Sequence, residues 1–294
     1  MKASRSTASK SGAARAPLRL RSRAVTMFRS GLFQGEVALI TGGGTGIGFA
    51  TASELGALGG KLALCGRRPE PLAKAAEELG RAGVEVFATT CDIRDADQVK
   101  ACVEAVKQRF GKIDILVNNA GGQFPSAAET LSPRGFEAVV RNNLLGTFNV
   151  TQAVATQAMI PQQRGRIVNV IAQIARGFPG MVHTGAARAG VENMTKTLAV
   201  EWAAYGIRVN AVAPGVIKTT GTDQYPPELL EQAANRSPLR RLGTANEVAH
   251  LIVYLASRQA DFITGQSFYI DGGQSLWGDI WQVPDEVPRF VPED

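Results

Sequence analysis

The chain has 294 residues, 45% of them hydrophobic and 20% charged, which suits one large α/β domain with a well-buried core. Its formal net charge of +6 is local: Lys2, Arg5, Lys10, Arg15, Arg19, Arg21 and Arg23 fall in residues 1–26, and taking these seven from the 32 basic residues leaves 25 against 26 acidic ones, so the charge is no sign of nucleic-acid binding. No apolar run reaches the ~18 residues of a membrane span, and with only Cys65, Cys91, Cys102, His183 and His250 as soft ligands the chain is expected to hold neither a disulfide framework nor a transition metal, in a reducing compartment.

The basic segment 1–26 is rich in Ser, Ala and Arg and has no hydrophobic stretch, so it fits a secretory signal poorly. A transit-like segment, a start codon set too early with Met27 the natural start, and a disordered extension all remain open. The folded domain is expected over 27–294.

From Gly35 the pattern alternates strand and helix. Residues 36–41 form a short apolar run ending in glycines, read as a buried strand, and 46–58 follow with helical spacing. Strands are then expected over 61–65, 84–90, 113–117, 166–170, 207–212 and 266–270, and helices over 71–81, 95–110, 133–159 and 184–202. Thr244-Ala245-Asn246-Glu247 before an apolar run predicts a capping box opening one more helix, which carries His250 as a structural or surface residue. Strict β/α alternation implies a single-domain, Rossmann-like, doubly wound parallel sheet of about seven strands with helices on both faces. Its ligand is expected beyond the carboxyl ends of the strands.

Chemistry-bearing residues follow the strands accordingly. After the first comes Thr41-Gly42-Gly43-Gly44-Thr45-Gly46-Ile47-Gly48, in which Gly42, Gly46 and Gly48 have the spacing G-x3-G-x-G. Between a strand and a helix, such glycines let the backbone approach a pyrophosphate while the helix N-terminus faces it. The second strand ends in Cys65-Gly66-Arg67-Arg68, with two arginines where an acid would otherwise bind both ribose hydroxyls. A charge-assisted contact to a 2′-phosphate contributes roughly 1.5–3 kcal/mol, so the pair points to NADP(H). Asp92, after the third strand, is placed to face the adenine edge, with Ile93 beside it.

Three ordered motifs carry a resemblance: the glycine loop, Asn118-Asn119-Ala120-Gly121 after the fourth strand, and Pro214-Gly215-Val216-Ile217 after the sixth. In these the chain, from about residue 32 to 278, resembles the classical short-chain dehydrogenases/reductases. The resemblance implies a nicotinamide cofactor, in most members a homotetramer, and a cofactor pocket shaped by Asn119 and Gly121. It also implies that Pro214, Gly215, Ile217 and Thr219 flank the nicotinamide. The family's usual catalytic group is a Ser, a Tyr, a Lys four residues after the Tyr, and an Asn from the long helix. Asn143 fits the last. At the others this chain departs: Ala172 or its neighbour stands for the Ser, Thr184 for the Tyr and Arg188 for the Lys.

Residues i and i+4 share a helix face, so the Thr184–Arg188 spacing survives while the chemistry changes. A threonine hydroxyl is far too weak an acid to replace a tuned phenol. Arginine can hold ribose hydroxyls but does not relay protons. Alcohol/ketone interconversion is therefore disfavoured. Reduction of an activated C=C bond is easier to support, because an enolate needs oriented donors more than a strong acid. Its α-carbon proton could come from water or a nearby hydroxyl, with Asn143, Thr184 and His183 as candidates.

Asn119-Ala-Gly-Gly-Gln123-Phe124, Gly177-Phe178-Pro179, His183-Thr-Gly-Ala-Ala-Arg-Ala-Gly190 and Phe262-Ile-Thr-Gly265 resemble the peroxisomal trans-2-enoyl-CoA reductases. The 2,4-dienoyl-CoA reductases are somewhat more distant. The implied activity is NADPH-dependent reduction of 2-enoyl-CoA in fatty-acid metabolism. Reduction of 2,4-dienoyl-CoA or a carbonyl, or a catalytically silent NADPH-binding role, stands as the alternative. The ending Val291-Pro-Glu-Asp294 lacks a Ser-Lys-Leu-type address, so a cytoplasmic location is expected.

Overall fold

The strands of this chain are apolar runs rather than alternating ones, and a run apolar on both sides needs cover on both faces. The computed structural model, which describes residues 28–222 and 225–276, supplies that cover. The basic segment 1–26 and the last residues, 277–294, lie outside the described part. Chain order is β1 (Val37–Thr41), α1 (Gly46–Ala57), β2 (Lys61–Gly66), α2 (Pro69–Arg81), β3 (Val86–Thr90), α3 (Ala96–Phe110) and β4 (Ile115–Asn118). Then come α4 (Pro133–Val140), α5 (Gly146–Val154), α6 (Ile160–Gln162), β5 (Gly165–Val170), α7 (Val182–Glu201), β6 (Ile207–Pro214) and β7 (Ile217–Lys218). The series ends with α8 (Pro227–Asn235), β8 (Gly243–Thr244), α9 (Ala245–Ala256) and β9 (Ser267–Ile270).

Seven strands form one sheet in the order β3-β2-β1-β4-β5-β6-β9, every neighbouring pair parallel. The chain winds outward from β1 to β3 and then returns to place β4 on the other side of β1. That reversal puts the crevice of the fold at the carboxyl ends of β1 and β4, where Thr41 pairs with Asn118. Successive residues of each strand serve opposite layers. Ile40, Leu62 and Leu64 pack with Leu55 and Ile252 of α1 and α9. Leu39, Ala63 and Cys65 pack with Val103 and Val154 of α3 and α5. Each such side chain contributes about 1.5–3 kcal/mol on burial, before the opposing chain entropy.

A buried polar ladder joins the second layer to the sheet. Asn118 Nδ2 donates to Thr151 Oγ1 at 2.8 Å and to Asn169 Oδ1 at 2.9 Å, and Asn169 Nδ2 donates to Thr195 Oγ1 at 2.9 Å. The ladder fixes α5 and α7 against β4 and β5, on which the site is built.

Boundaries differ from expectation in instructive ways. The long helix expected over 133–159 runs on to Gln162 but widens into two π turns, at Arg141–Leu145 and Ala155–Met159. The first of these carries Asn143. The third strand begins at Val86 rather than at residue 84, because Val84 N closes the turn after α2 by donating to Leu79 O at 3.1 Å. Helix α8 and the short β7–β8 pair had no counterpart in the pattern reading. The capping box at Thr244 is present, with Glu247 N donating to Thr244 Oγ1 and Thr244 N to Glu247 Oε2. His250 sits beside Glu54 of α1, its Nε2 3.6 Å from the carboxylate.

Candidate functional site

The glycine loop turns because Gly42 and Gly46 adopt φ of +66° and +55°, the left-handed region in which a side chain is strained. Gly48 meets a different constraint. A Cβ there would collide with Gly42 O and approach Asn119 Nδ2 to 2.6 Å. Helix α1 therefore starts pressed against the loop, and Thr45 at its N-cap makes no side-chain cap to the first-turn amides. The loop is tied to the end of β4. Asn119 N and Ala120 N donate to Thr41 Oγ1 at 3.0 and 2.9 Å, and Asn119 Nδ2 donates to Thr41 O at 3.1 Å.

A cleft of about 540 Å³ opens over this loop. Gly42, Gly44, Thr45, Ile47, Arg67, Arg68, Ile93, Asn119 and Gly121 are among the residues that line it. Gly46 and Gly48 shape the loop from beneath. Asp92 does not line this cleft. Its carboxylate is clamped by Arg94, whose Nε lies 2.9 and 3.0 Å from the two oxygens, and it borders a neighbouring surface groove. The Arg94 guanidinium accordingly holds the Asp92 carboxyl below its ordinary range. Cys91, a free and buried thiol, lines the cleft in its place.

A second cleft, of about 560 Å³, joins the first through Ile47, Asn119, Gly121 and Thr219, which line both. Pro214, Gly215, Ile217 and Thr219 form one wall, while Ala172 and Gln173 after β5 and Arg188 of α7 belong to the same lining. Phe178, Met181, Leu229 and Leu230 give it an apolar side. Both volumes fall in the range of cofactor and small-molecule sites.

Of the four residues expected at the reacting centre, only Arg188 lines this cleft. Its Nη1 donates to Val170 O at 2.9 Å, its Nε is buried without a partner, and burial lowers its pKa to about 10. A Cβ on Gly121 would collide with its Nη2, so Gly121 is the space the guanidinium occupies. Asn143 is buried behind this wall. Its Nδ2 donates to Gly122 O at 2.7 Å and Val139 O at 3.0 Å, and its Oδ1 accepts from Gly122 N at 3.2 Å. It holds the Gly121–Gly122 strip in place from the π turn. The neighbouring Asn142 lines the nucleotide cleft.

Thr184 and His183, the other two expected residues, lie deeper in the fold. Both are fully buried and neither lines the cleft. Helix α7 starts at Val182, two residues earlier than predicted, and its buried stripe runs through His183, Thr184, Ala187, Arg188 and Val191. His183 Nδ1 accepts from Thr184 N at 2.8 Å, and Phe124 meets its ring edge-on with centroids 4.7 Å apart. Thr184 therefore does not present its hydroxyl to the cleft. A residue the sequence reading passed over, Tyr225, does line it. The signal was available in the Tyr225-Pro226-Pro227-Glu228 segment, whose paired prolines announce a helix start.

Among the described residues, no three His, Cys, Asp or Glu side chains gather to hold a metal, and no helix is long and apolar enough to cross a membrane.

The family described as "Enoyl-(Acyl carrier protein) reductase" matches residues 42–275. The 3-oxoacyl-acyl-carrier-protein reductase FabG of Thermotoga maritima is 42% identical over 241 residues, covering 82% of this chain and 98% of the relative. A protein of Bacillus subtilis (strain 168) named as a probable 2,4-dienoyl-CoA reductase is 39% identical over 246 residues, covering 82% and 97%. Among solved structures, the citronellol catabolism dehydrogenase AtuB of Pseudomonas aeruginosa PAO1 is 46% identical, covers 85% of this chain and 99% of its own, and superposes with a TM-score of 0.78.

Proposed function

The chain belongs to the short-chain dehydrogenase/reductase family, and on that premise we propose that it reduces the C=C bond of trans-2-enoyl-CoA thioesters with NADPH. One observation carries the choice of C=C over C=O reduction. Ala172, Thr184 and Arg188 stand where the family's Ser, Tyr and Lys would relay a proton to a carbonyl oxygen, and Thr184 is buried off the cleft. Alcohol/ketone exchange needs that relay. An enolate formed by hydride addition needs oriented donors, and the buried, positively charged Arg188 beside Gly121 is placed to serve as one.

The nucleotide cleft fits a doubly phosphorylated dinucleotide. Gly42, Gly44, Thr45, Ile47 and the uncapped start of α1 would hold the pyrophosphate, and Arg67 and Arg68 the 2′-phosphate. Ile93, Asn119 and Gly121 would enclose the adenosine and ribose side, with Pro214, Gly215, Ile217 and Thr219 against the nicotinamide. When bound, the cofactor would supply hydride. The apolar side formed by Phe178, Leu229 and Leu230 would take the acyl chain. Exposed Leu145, Phe148 and Val182 on the helical face support a homo-oligomer, in the family's manner a tetramer. Three free, buried thiols support a reducing, cytoplasmic location.

A second reading is favoured by the 39% identity to the relative named a 2,4-dienoyl-CoA reductase: the same cleft and the same enolate chemistry, with a longer conjugated acceptor. Following NADPH absorbance with 2-enoyl-, 2,4-dienoyl- and 3-oxoacyl-CoA separates the readings. The panel includes a branched 2-enoyl thioester, because the 46% identical structure is named for citronellol catabolism. Consumption with enoyl substrates is expected. Consumption with 3-oxoacyl-CoA alone would sink the proposal, and tight NADPH binding without turnover on any of them would leave a silent binding protein.

A further inference from the structure

We propose that Tyr225 delivers the proton that the substrate's α-carbon takes up, an inference that rests on the C=C reductase reading. The chain has four tyrosines, Tyr205, Tyr225, Tyr254 and Tyr269, and only Tyr225 lines the substrate cleft. Among the described residues that line that cleft, two carry an ionisable side chain: Arg188 and Tyr225. Arg188, the proposed donor to the enolate, has Nη1 on Val170 O and its guanidinium packed over Gly121. A guanidinium also has no acceptor lone pair with which to recover a proton. The remaining polar lining consists of amides and threonine hydroxyls, which are far weaker acids than a phenol.

Its placement ties Tyr225 to the reacting centre. Tyr225 N donates to Thr222 O at 3.0 Å. Thr222 Oγ1 donates to Thr219 O at 2.7 Å and accepts from Thr219 N at 3.0 Å. Thr219 lines both clefts and so marks their junction. The backbone of Tyr225 is thereby anchored, through two hydrogen-bonded steps, to Thr219, beside which hydride would be transferred. It reaches the cleft from the segment after β7, while Ala172 and Arg188 reach it from β5 and α7.

The step balances. The β-carbon of the enoyl thioester accepts hydride from the reduced dinucleotide, forming a C–H bond, and the C=C π pair moves to the α-carbon and thioester oxygen as an enolate. The α-carbon then takes the Tyr225 Oη proton, and water reprotonates the phenolate. The acyl group gains two electrons and the dinucleotide loses two.

The test is Tyr225→Phe, which keeps the ring and its packing, assayed with trans-2-decenoyl-CoA and NADPH in H2O and D2O. The kcat is expected to fall by about 10²–10⁴-fold, the usual contribution of a general acid, with the NADPH Kd unchanged. In D2O the wild type should place deuterium on one face of the α-carbon, and the variant on both. Unchanged turnover, or slowed turnover with face selectivity intact, would overturn the assignment while leaving the reductase reading in place. A wild type that consumes no NADPH with any 2-enoyl thioester would overturn both.

Discussion

Among single residues, Arg67 and Arg68 are the pair on which the proposed NADPH preference rests. They extend from the end of β2 into the nucleotide cleft, at the point where an acid would prefer the unphosphorylated ribose. Replacing both with serine is expected to weaken NADPH binding about 10- to 100-fold per lost phosphate contact and to leave NADH binding nearly unchanged, by calorimetric titration. Equal weakening of the two would misplace the 2′-phosphate. Arg188 gives a pH signature. Burial lowers its pKa to about 10, so the cation is complete at neutral pH and is lost as pH rises through about 10. NADPH affinity and turnover should both decline across that window, and the decline attributable to NADPH affinity should be absent in Arg188→Met. At this scale the sequence was legible wherever a motif fixed the backbone, as at Gly42, Asn119 and Pro214. At Thr184 the spacing gives the face shared with Arg188 but not that the side chain is fully buried. Helical spacing sets neighbours; where the helix starts sets direction.

Element by element, local signals that satisfy backbone groups read through most clearly. Thr244 and Glu247 cap α9 reciprocally, and Arg241 adds two contacts to the same carboxylate at 2.6 and 2.9 Å. Thr244→Ala should cost about 1 kcal/mol in urea unfolding. The Arg241 guanidinium holds the Glu247 carboxyl below its ordinary range. A carboxylate with a depressed folded-state pKa stabilises above the unfolded value of about 4.3. Its contribution is lost as pH falls through the lower folded value. The stability gap between wild type and Glu247→Gln should therefore be widest near neutral pH and close in acid; a gap that widens in acid would contradict the assignment. Helix α8 escaped the pattern reading because it is short, nine residues with two leucines side by side, and none of its residues is buried in the core. Its Leu229 and Leu230 line the substrate cleft instead. The π turn at Asn143 was equally hidden, since one extra residue per turn leaves no trace in composition.

For the whole molecule, topology does most of the explaining. Alternating β and α elements with apolar strands determine a parallel sheet covered on both faces, and the return from β3 to β4 determines where a ligand sits. Both were readable from the chain. The junction of two clefts was not, because it depends on Thr219 and Gly121, which are far apart in sequence and follow β7 and β4. The exposed Leu145, Phe148 and Val182 should be covered by a second copy of the chain. Light scattering is expected to give an oligomer for the wild type and a smaller species for Phe148→Asp; a wild-type monomer would refute this. The most direct test of the central claim follows the hydride itself. With NADPH deuterated at the transferable position and trans-2-decenoyl-CoA, mass spectrometry and NMR should find the label on the β-carbon of the saturated thioester. An unlabelled enoyl substrate, with label entering only the carbinol carbon formed from 3-oxoacyl-CoA, would contradict it.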